Sequence, residues 1–338
     1  MKRLITAMLL LGVGICITPA RAQENVKLAQ TGFKFMNVSA DPRAVAMGEA
    51  VTSLAGNSMS QFYNPAGMAR MTSFTHVAFS TTQWIADINH QHASLSFAPF
   101  DGEYGVVGFS MHTVDYGLIE GTVLDPSNPD GYSELGDVSP TAFSVGAGYA
   151  RALSDRFSVG GNINFVHQDL GKTPLTSAGI ADATKRPSNT VEVLSFDFGM
   201  LYNTGYKSLN FAMSVRNFSK EVKFQREGFQ LPLIFRIGIS INAMEFITED
   251  KGADQLLLSV DATHPRDYPE QINIGAEYTL LNLVAVRSGY MFNNDENGFT
   301  AGVGIRHTIE GISAGIDYAY APFGIFGNVN RLSIQLSL

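Results

Sequence analysis

Cysteine is almost absent from this chain of 338 residues, because the sole example is Cys16, close to the N-terminus. A lipid anchor on this cysteine is disfavoured, since a lipobox needs a small residue just before it and Ile15 is not small. Once the N-terminal stretch is removed, the chain has no cysteine at all. Disulfides, thiol nucleophiles and cysteine-bound metals are then excluded.

The N-terminus has the three parts of a secretory signal peptide. Lys2 and Arg3 give a positive start, residues 4–17 are apolar, and residues 20–22 read Ala-Arg-Ala, which is a typical cleavage site. We therefore predict that residues 1–22 are a cleaved signal peptide. Export without disulfides is typical of the envelope of a bacterium with two membranes, and we expect the outer membrane as the location.

Charge is also scarce, since Asp, Glu, Lys and Arg make up 16% of the residues, below the usual fraction of about a quarter. Removing Lys2, Arg3 and Arg21 leaves 20 basic residues against 31 acidic ones, a net charge of −11. This acidic balance argues against a nucleic-acid partner, whose phosphates need clustered Lys and Arg. Beyond the signal peptide no run of about 18 apolar residues occurs, so no transmembrane helix is predicted.

Alternation of apolar and polar residues fills most of the chain after residue 71. Residues 233–241 are an example, with Leu, Phe and Ile at every odd position, and this period of two is typical of a strand. The polar face carries Gly, Ser and Asn more than Lys and Glu, which favours a membrane barrel over a soluble sandwich or barrel. Fourteen strands are predicted, at residues 72–83, 89–99, 103–115, 140–152, 156–168, 191–203, 208–217, 231–243, 254–264, 270–280, 283–293, 298–308, 311–321 and 328–338.

We therefore predict an all-β fold, a transmembrane antiparallel β-barrel of about 14 strands, each near the length of about 9–11 residues that a tilted strand needs. The barrel would occupy residues 72–338, after an N-terminal plug segment at 23–71. Long connectors at 117–140 and 169–190 follow odd strands, and the shortest connectors follow even strands. Outer-membrane barrels have short periplasmic turns and longer outer loops, so both chain termini are expected on the periplasmic side.

Charged residues recur on the polar strand faces, which would line the lumen. Either they form a packed polar interior that holds a plug, which we favour, or they form a charged constriction that selects solutes. The predicted lumen charges are Arg216, Arg236, Asp261, Glu277, Arg287, Arg306, Asp317 and Arg331.

Catalytic and cofactor motifs are missing from the sequence. His76, His92 and His112 fall on inward positions of the first three strands, but no ligand spacing supports a metal site. No G-x-S-x-G motif occurs, and the glycines of "GVGIRH" and "GGNINF" sit within strands, where they ease close packing instead of binding phosphate. We predict no enzyme activity, no cofactor and no metal.

One connector is unusually apolar. "APFGIFGN", at residues 321–328, follows an odd strand, so it would be an outer loop. Exposed apolar loops mark a contact surface or fold back into the lumen, and both alternatives stay open for Phe323, Ile325 and Phe326.

The stretch before the strands has a different character, with small residues punctuated by Gly and Pro. "DPRAVAMGEAVTSLAGNSMSQFYNPAGMAR", residues 41–70, resembles the N-terminal region of FadL-type outer-membrane barrels, and more closely that of the PorV/PorQ family within that superfamily. The sequence departs from the family pattern at Asp41-Pro42, Asn57 and Met68, and in ending at Leu338 rather than an aromatic residue. The matching residues are Arg43, Ala44, Met47, Gly48, Ala50, Leu54, Ala55, Asn64, Pro65, Ala66, Gly67 and Ala69.

The resemblance implies a 14-stranded barrel with the helical segment as a plug in its lumen, where Asn64-Pro65 forces a turn. It also implies two alternative functions. PorV-like proteins are similar to non-catalytic components of type IX secretion that bind the translocon and cargo proteins at the cell surface, and we favour this reading. FadL-like proteins are channels for hydrophobic solutes such as fatty acids. Expected partners are outer-membrane lipid with secretion proteins in the first case or a hydrophobic small molecule in the second.

Overall fold

The computed structural model describes residues 31–338 apart from 173–174, 178–179, 183–187, 225–226, 248–253 and 295–297. The predicted signal peptide at 1–22 and the start of the predicted plug at 23–30 lie outside the described residues, as does part of the predicted outer loop at 169–190.

Fourteen antiparallel strands form a closed barrel in which each strand pairs with its neighbours along the chain and the last pairs with the first. Every predicted strand is present, with each boundary within four residues of the prediction. The predicted fold class is confirmed. The strands are β1 (Thr75–Gln83), β2 (Asn89–Phe97), β3 (Val106–Asp115), β4 (Thr141–Ala152), β5 (Phe157–Lys172), β6 (Ser188–Asn203), β7 (Asn210–Ser219), β8 (Ile234–Asn242), β9 (Gln255–Pro265), β10 (Gln271–Leu280), β11 (Val284–Phe292), β12 (Phe299–Ile309), β13 (Ile312–Pro322) and β14 (Asn328–Ser337).

The two ends of the barrel differ as the connectors predicted. Connections after even strands are mostly short, and we call this side the turn end. A short helix, Met244–Ile247, follows β8 there. Connections after odd strands form the loop end, where the described residues include three hairpins. Their strands are Ile119–Leu124 with Tyr132–Val138, Leu175–Ser177 with Ile180–Asp182, and Val222–Lys223 with Gly228–Phe229.

The wall of the barrel is apolar outside and polar inside. On β1, Phe79 points outward and is 48% exposed, whereas the neighbouring Ser80 points inward and is fully buried. On β14, Ile334 is 55% exposed and Gln335 is buried. A soluble sandwich would bury the apolar face, so this arrangement fits a wall surrounded by lipid. Among the described residues, no helix is long and apolar enough to cross a membrane.

Residues 31–74, the N-terminal segment, fill the inside of the barrel before the chain enters β1. The segment contains one α-helical turn, Pro42–Ala46, and three 3₁₀ turns, Lys34–Asn37, Ser58–Phe62 and Pro65–Arg70. The α-helical turn packs on β11 to β14, and the second 3₁₀ turn on β1 to β3. The last 3₁₀ turn packs on β3 to β6. The segment therefore touches the wall on opposite sides of the lumen.

Both termini were expected on the side of the short turns. The C-terminus lies there, because Leu338 pairs with Thr75 at the turn end, and the N-terminus lies outside the described residues. Thr31, however, forms a bridge with Gln230 between β7 and β8, and the Gly32 amide donates to the Gln230 carbonyl over 3.1 Å. The described chain thus begins at the loop end. The reason is that the N-terminal segment runs the length of the lumen before the first strand starts.

Candidate functional site

The lumen is the candidate site, and its half at the loop end is filled by apolar side chains. Phe33 and Phe35 of the N-terminal segment meet inward-facing valines of β3 to β6, the loop-end half of those strands. We call this group the loop-end cluster. It was missed by the sequence reasoning, although inward valines at positions where other strands carry Ser or Asn would have indicated it. Its buried members are Phe33, Phe35, Met36, Val114, Ala142, Val166, Val191, Val193, Val222 and Leu231.

The half of the lumen at the turn end is held by ion pairs instead. Arg43 of the N-terminal segment binds Glu277 of β10 with both ends of its guanidinium, through Nε at 2.8 Å and Nη2 at 2.6 Å. Glu277 also accepts from Arg287 of β11 at 2.5 Å, and Arg287 in turn donates to Asp317 of β13 at 2.5 Å. Gln335 of β14 donates to the same Asp317. We call these five residues the arginine–carboxylate network.

Backbone groups of the N-terminal segment are bonded to inward side chains as well. The Thr52 amide donates to Asp261 Oδ2 over 2.9 Å, and Ser259 Oγ donates to the Ala50 carbonyl over 2.6 Å. The Gly48 amide donates to Thr300 Oγ1 over 3.2 Å. Buried backbone groups need such partners where the segment has no regular structure. The wall therefore supplies bonds that a longer helix would have made internally.

The corner at Asn64-Pro65 is pressed against the wall. Asn64 Nδ2 donates to the carbonyls of Thr52 at 2.8 Å and Met200 at 3.1 Å, and its Oδ1 accepts from the Ala66 amide as a helix cap. On β6, a Cβ added at Gly199 would lie 1.9 Å from Asn64 Oδ1. Only glycine admits this approach, which accounts for glycine inside a strand at that position.

A second close approach involves Met47 and Gly48. Gly48 has a positive φ of 61° and a fully buried Met47 before it. A Cβ added at Gly289 of β11 would lie 2.1 Å from the Gly48 nitrogen. Gly67 is likewise closely packed, since an added Cβ would meet Ser60 Oγ at 2.8 Å. The motif residues thus sit where the segment bends or touches the wall.

Three other predicted lumen charges, Arg216, Arg236 and Arg331, lie beside Glu49, Tyr63 or Trp84. Arg236 lies 3.5 Å from Glu49, and the guanidinium groups of Arg216 and Arg236 each lie 5.9 Å from the ring centre of Tyr63. Arg331 lies over Trp84 at 5.4 Å. This geometry fits a polar interior that holds the segment better than an open constriction.

Histidines form a buried group in the lumen. His92 and His112 stack at 3.9 Å between ring centres, and His90 Nδ1 lies 3.0 Å from His112 Nε2. His90 was not singled out from the sequence. His76 lies apart, nearer the turn end, where its Nδ1 is 2.9 Å from Ser58 Oγ. Within the described ranges no group of three or more His, Cys, Asp or Glu side chains is arranged to hold a metal ion.

The apolar connector after β13 combines both alternatives, because one residue folds back into the barrel and two form an exposed surface. Phe323 is buried and packs edge-on against Trp84, with ring centres 4.8 Å apart. Ile325 is 95% exposed and Phe326 is 62% exposed. Phe323 therefore folds back over the lumen, while Ile325 and Phe326 form an exposed apolar tip.

The hairpin after β3, also at the loop end, has an ordered tip. Asp125 accepts hydrogen bonds from Ser127 Oγ and Ser133 Oγ, both over 2.6 Å. These bonds hold the pKa of the exposed Asp125 carboxyl below its usual value, because they stabilise the charged form. The loop end thus presents a defined surface at this hairpin.

Several solved structures have a similar architecture. The toluene transporter TbuX of Ralstonia pickettii has a TM-score of 0.57 and 12% identity, covering 89% of this chain and 98% of its own. The toluene transporter TodX of Pseudomonas putida gives 0.56 at 10% identity, covering 87% and 96%. The monoaromatic hydrocarbon channel CymD gives 0.54 at 11% identity, covering 89% and 97%. At these identities the likeness shows the fold alone.

Comparison with curated proteins finds no match. Residues 132–338 match the family described as "Type IX secretion system membrane protein PorP/SprF". The predicted link to type IX secretion is thereby confirmed at the level of the family, which is PorP/SprF, whereas the motif that resembles PorV/PorQ lies outside the matched range. Because the match covers more than half of the chain, the chain belongs to the PorP/SprF family of type IX secretion system membrane proteins.

Proposed function

We propose that the protein is a non-catalytic component of type IX secretion in the bacterial outer membrane, which binds translocon or cargo proteins and keeps its own lumen closed. The observation that carries this proposal is the filled lumen. The loop-end cluster occupies one half, and the arginine–carboxylate network anchors the N-terminal segment in the other.

Closure follows from what a passing solute would have to displace. At the turn end it would break the bidentate contact of Arg43 with Glu277 and leave the Arg43 guanidinium without its carboxylate partner, which typically costs about 3–5 kcal/mol. At the loop end it would displace Phe33, which is 1% exposed. A barrel built this way is suited to presenting a surface rather than to conducting solutes.

The proposed contact surface is the exposed apolar tip at Ile325 and Phe326, which lies at the loop end. Exposed apolar groups of this kind favour contact with a protein partner. We place the loop end at the cell surface, because outer-membrane barrels have their long connections outside. Secreted cargo and the translocon would then meet the protein on the same side.

A FadL-like channel for hydrophobic solutes is the second candidate. It is favoured by the fold shared with the toluene transporters and by the apolar character of the loop-end cluster. In this alternative a solute would replace the chain's own Phe33 and Phe35, and the N-terminal segment would have to move. The arginine–carboxylate network opposes such movement, so we rank the channel second.

Affinity purification from native membranes tests the proposal. We expect translocon or cargo proteins to co-purify with the protein, and the double variant I325S/F326S to lose most of them. The matched control is F100S/L281S, which changes two apolar residues at the turn end that are 75% and 67% exposed. Failure to recover any secretion protein, together with a bound lipid-like ligand, would favour the channel instead.

A further inference from the structure

A polar cavity of about 240 Å³ lies inside the barrel at the turn end, between the N-terminal segment and strands β1, β12, β13 and β14. Arg43, Asn57, His76, Arg306, Ser313 and Ser337 are among its lining residues, and no Asp or Glu of the described part of the chain lines it. We call it the Arg306 pocket. It is smaller than typical small-molecule pockets of about 300–1,000 Å³, so it suits a side chain or a short acyclic group.

Arg306 gives this pocket an uncompensated positive charge. Arg43, Arg287, Glu277 and Asp317 pair with one another, so the two arginines and two carboxylates of the network balance. Arg306 is a third arginine beside them, and among the described residues no carboxylate lies within ion-pair distance of it. Its side chain is exposed at the open mouth of the pocket.

The remaining lining groups are suited to an oxyanion. Arg306 offers a planar fork of N–H donors that matches a carboxylate or phosphate. Ser313 and Ser337 supply hydroxyl groups that can donate alongside it. A cation or an apolar group would find neither a charge partner nor an apolar wall of comparable extent here.

The barrel wall decides which source of oxyanion can enter. β14 pairs with β1 from His76 to Gln83 and with β13 from Ser313 to Pro322, so the wall beside the pocket is continuous. Lipid headgroups surround the outside of the wall, whereas the pocket opens inside it toward the turn end. Entry is therefore along the lumen axis, from the aqueous side.

We propose that the Arg306 pocket binds the carboxylate of an acidic segment of a partner protein that docks at the turn end. The inference rests on the proposed function in that the partner is a protein, but it assigns a surface opposite to the loop-end contact. The protein would then be held from both sides of the membrane, by an apolar contact at one end and a charged one at the other.

The test uses the full chain in phosphatidylcholine nanodiscs and a fluorescent decapeptide of alternating Gly and Glu, with a Gly and Gln peptide for comparison. We expect the Glu peptide to bind with a salt-sensitive Kd, the Gln peptide not to bind, and R306Q to weaken binding at least tenfold. R156Q removes an exposed arginine at the same end, outside the pocket, and should change the Kd less than twofold.

Other results would overturn the proposal. No binding, or binding that R306Q leaves unchanged, shows that the pocket does not take a carboxylate. Binding of inorganic phosphate without binding of the peptide makes it a site for free anions. Displacement of the peptide by a soluble short-chain phosphatidylglycerol, and not by inorganic phosphate, would assign it to a lipid headgroup. Heat-modifiable mobility on gels establishes that R306Q is folded.

Co-purification from native membranes separates this inference from the proposed function. If R306Q abolishes peptide binding and also reduces recovery of a secretion protein, both stand. If secretion proteins are recovered equally with R306Q and with the unaltered chain, the pocket proposal fails while the proposed function remains. If no secretion protein is recovered from either, the proposed function fails.

Discussion

The two halves of the lumen hold the same segment by different means. At the loop end, Phe33 and Phe35 pack among valines, and the contacts have no directional requirement. At the turn end, Arg43 and Asn64 make hydrogen bonds of fixed geometry to Glu277 and to the Met200 carbonyl. Apolar packing therefore fills the lumen, whereas the polar contacts determine which residue of the segment lies against which strand.

Because of this difference, loss of one side chain should have a different effect in each half of the lumen. An apolar cluster that loses one ring can relax around the gap, and the loss stays local. A network that loses Glu277 leaves Arg43 without its ion-pair partner and weakens the pairing of Arg287, so the damage extends to the strands that the network joins. Amide hydrogen exchange can tell the halves apart, because Met36 and Val38 have bonded amides near the loop end and Thr52 and Gly67 have them near the turn end.

The largest effect is expected from E277Q. Glu277 accepts from both Arg43 and Arg287. Its neutralisation leaves Arg43 without its ion-pair partner and Arg287 with Asp317 alone, which should lower the free energy of opening the turn-end half by about 3–5 kcal/mol. Exchange should accelerate at the Thr52 and Gly67 amides and stay unchanged at Met36 and Val38.

The control for this variant is E103Q, an exposed glutamate at the turn end, which should leave all four amides unchanged. Equal acceleration at both ends would show that the two halves open as one unit. The inference that the two halves are held independently would then be wrong.

F33A should give the complementary result. Phe33 is 1% exposed in the loop-end cluster, and its removal should cost about 3 kcal/mol, the lower end for buried Phe to Ala changes because the hairpin beside it can settle into the gap. Here the Met36 and Val38 amides should exchange faster while Thr52 and Gly67 do not. F326A, at a position 62% exposed, serves as the control and should have no effect on either pair.

The barrel wall could be predicted from the sequence more completely than the contacts inside the lumen. The strands were predictable because an outward residue needs lipid-like character and an inward one does not, so each strand reports its own orientation. The segment at 41–70 was assigned to the lumen by its resemblance to a family. Its partners were not predictable, because the pairing of Arg43 with Glu277 joins residues 234 apart.

Some glycines and valines of the strands have a role in the lumen that the structure explains and the sequence pattern alone does not. The glycines at 199 and 289 read as ordinary strand glycines, yet each marks a contact with the segment. Val114 and Val166 interrupt the polar face of their strands because Phe33 and Phe35 lie against them. His90 was passed over because its position within β2 does not reveal the distance to His112.

The double variant N64A/P65A tests the corner at the turn end. It removes the cap on the Ala66 amide and two bonds to carbonyls, and we expect a loss of about 2 kcal/mol together with faster leakage of small dyes or detergents. The control N128A/P126A changes the same residue types in the hairpin after β3, outside the lumen. Unchanged permeability would make the corner structural only.

The smallest effect is expected from a pair of serines on the wall. Ser259 is 2% exposed and donates to the Ala50 carbonyl over 2.6 Å, so S259A should cost about 1 kcal/mol, the net value of one hydrogen bond with its partner left unsatisfied. Ser158 is fully buried too, but its hydroxyl has no hydrogen-bond partner among the described residues. S158A therefore removes a polar group that gains nothing from burial, and it should be neutral or slightly stabilising. If exchange at the Thr52 amide accelerates in S259A and not in S158A, directional bonds hold the turn-end half. If both variants behave alike, packing alone holds it, as at the loop end.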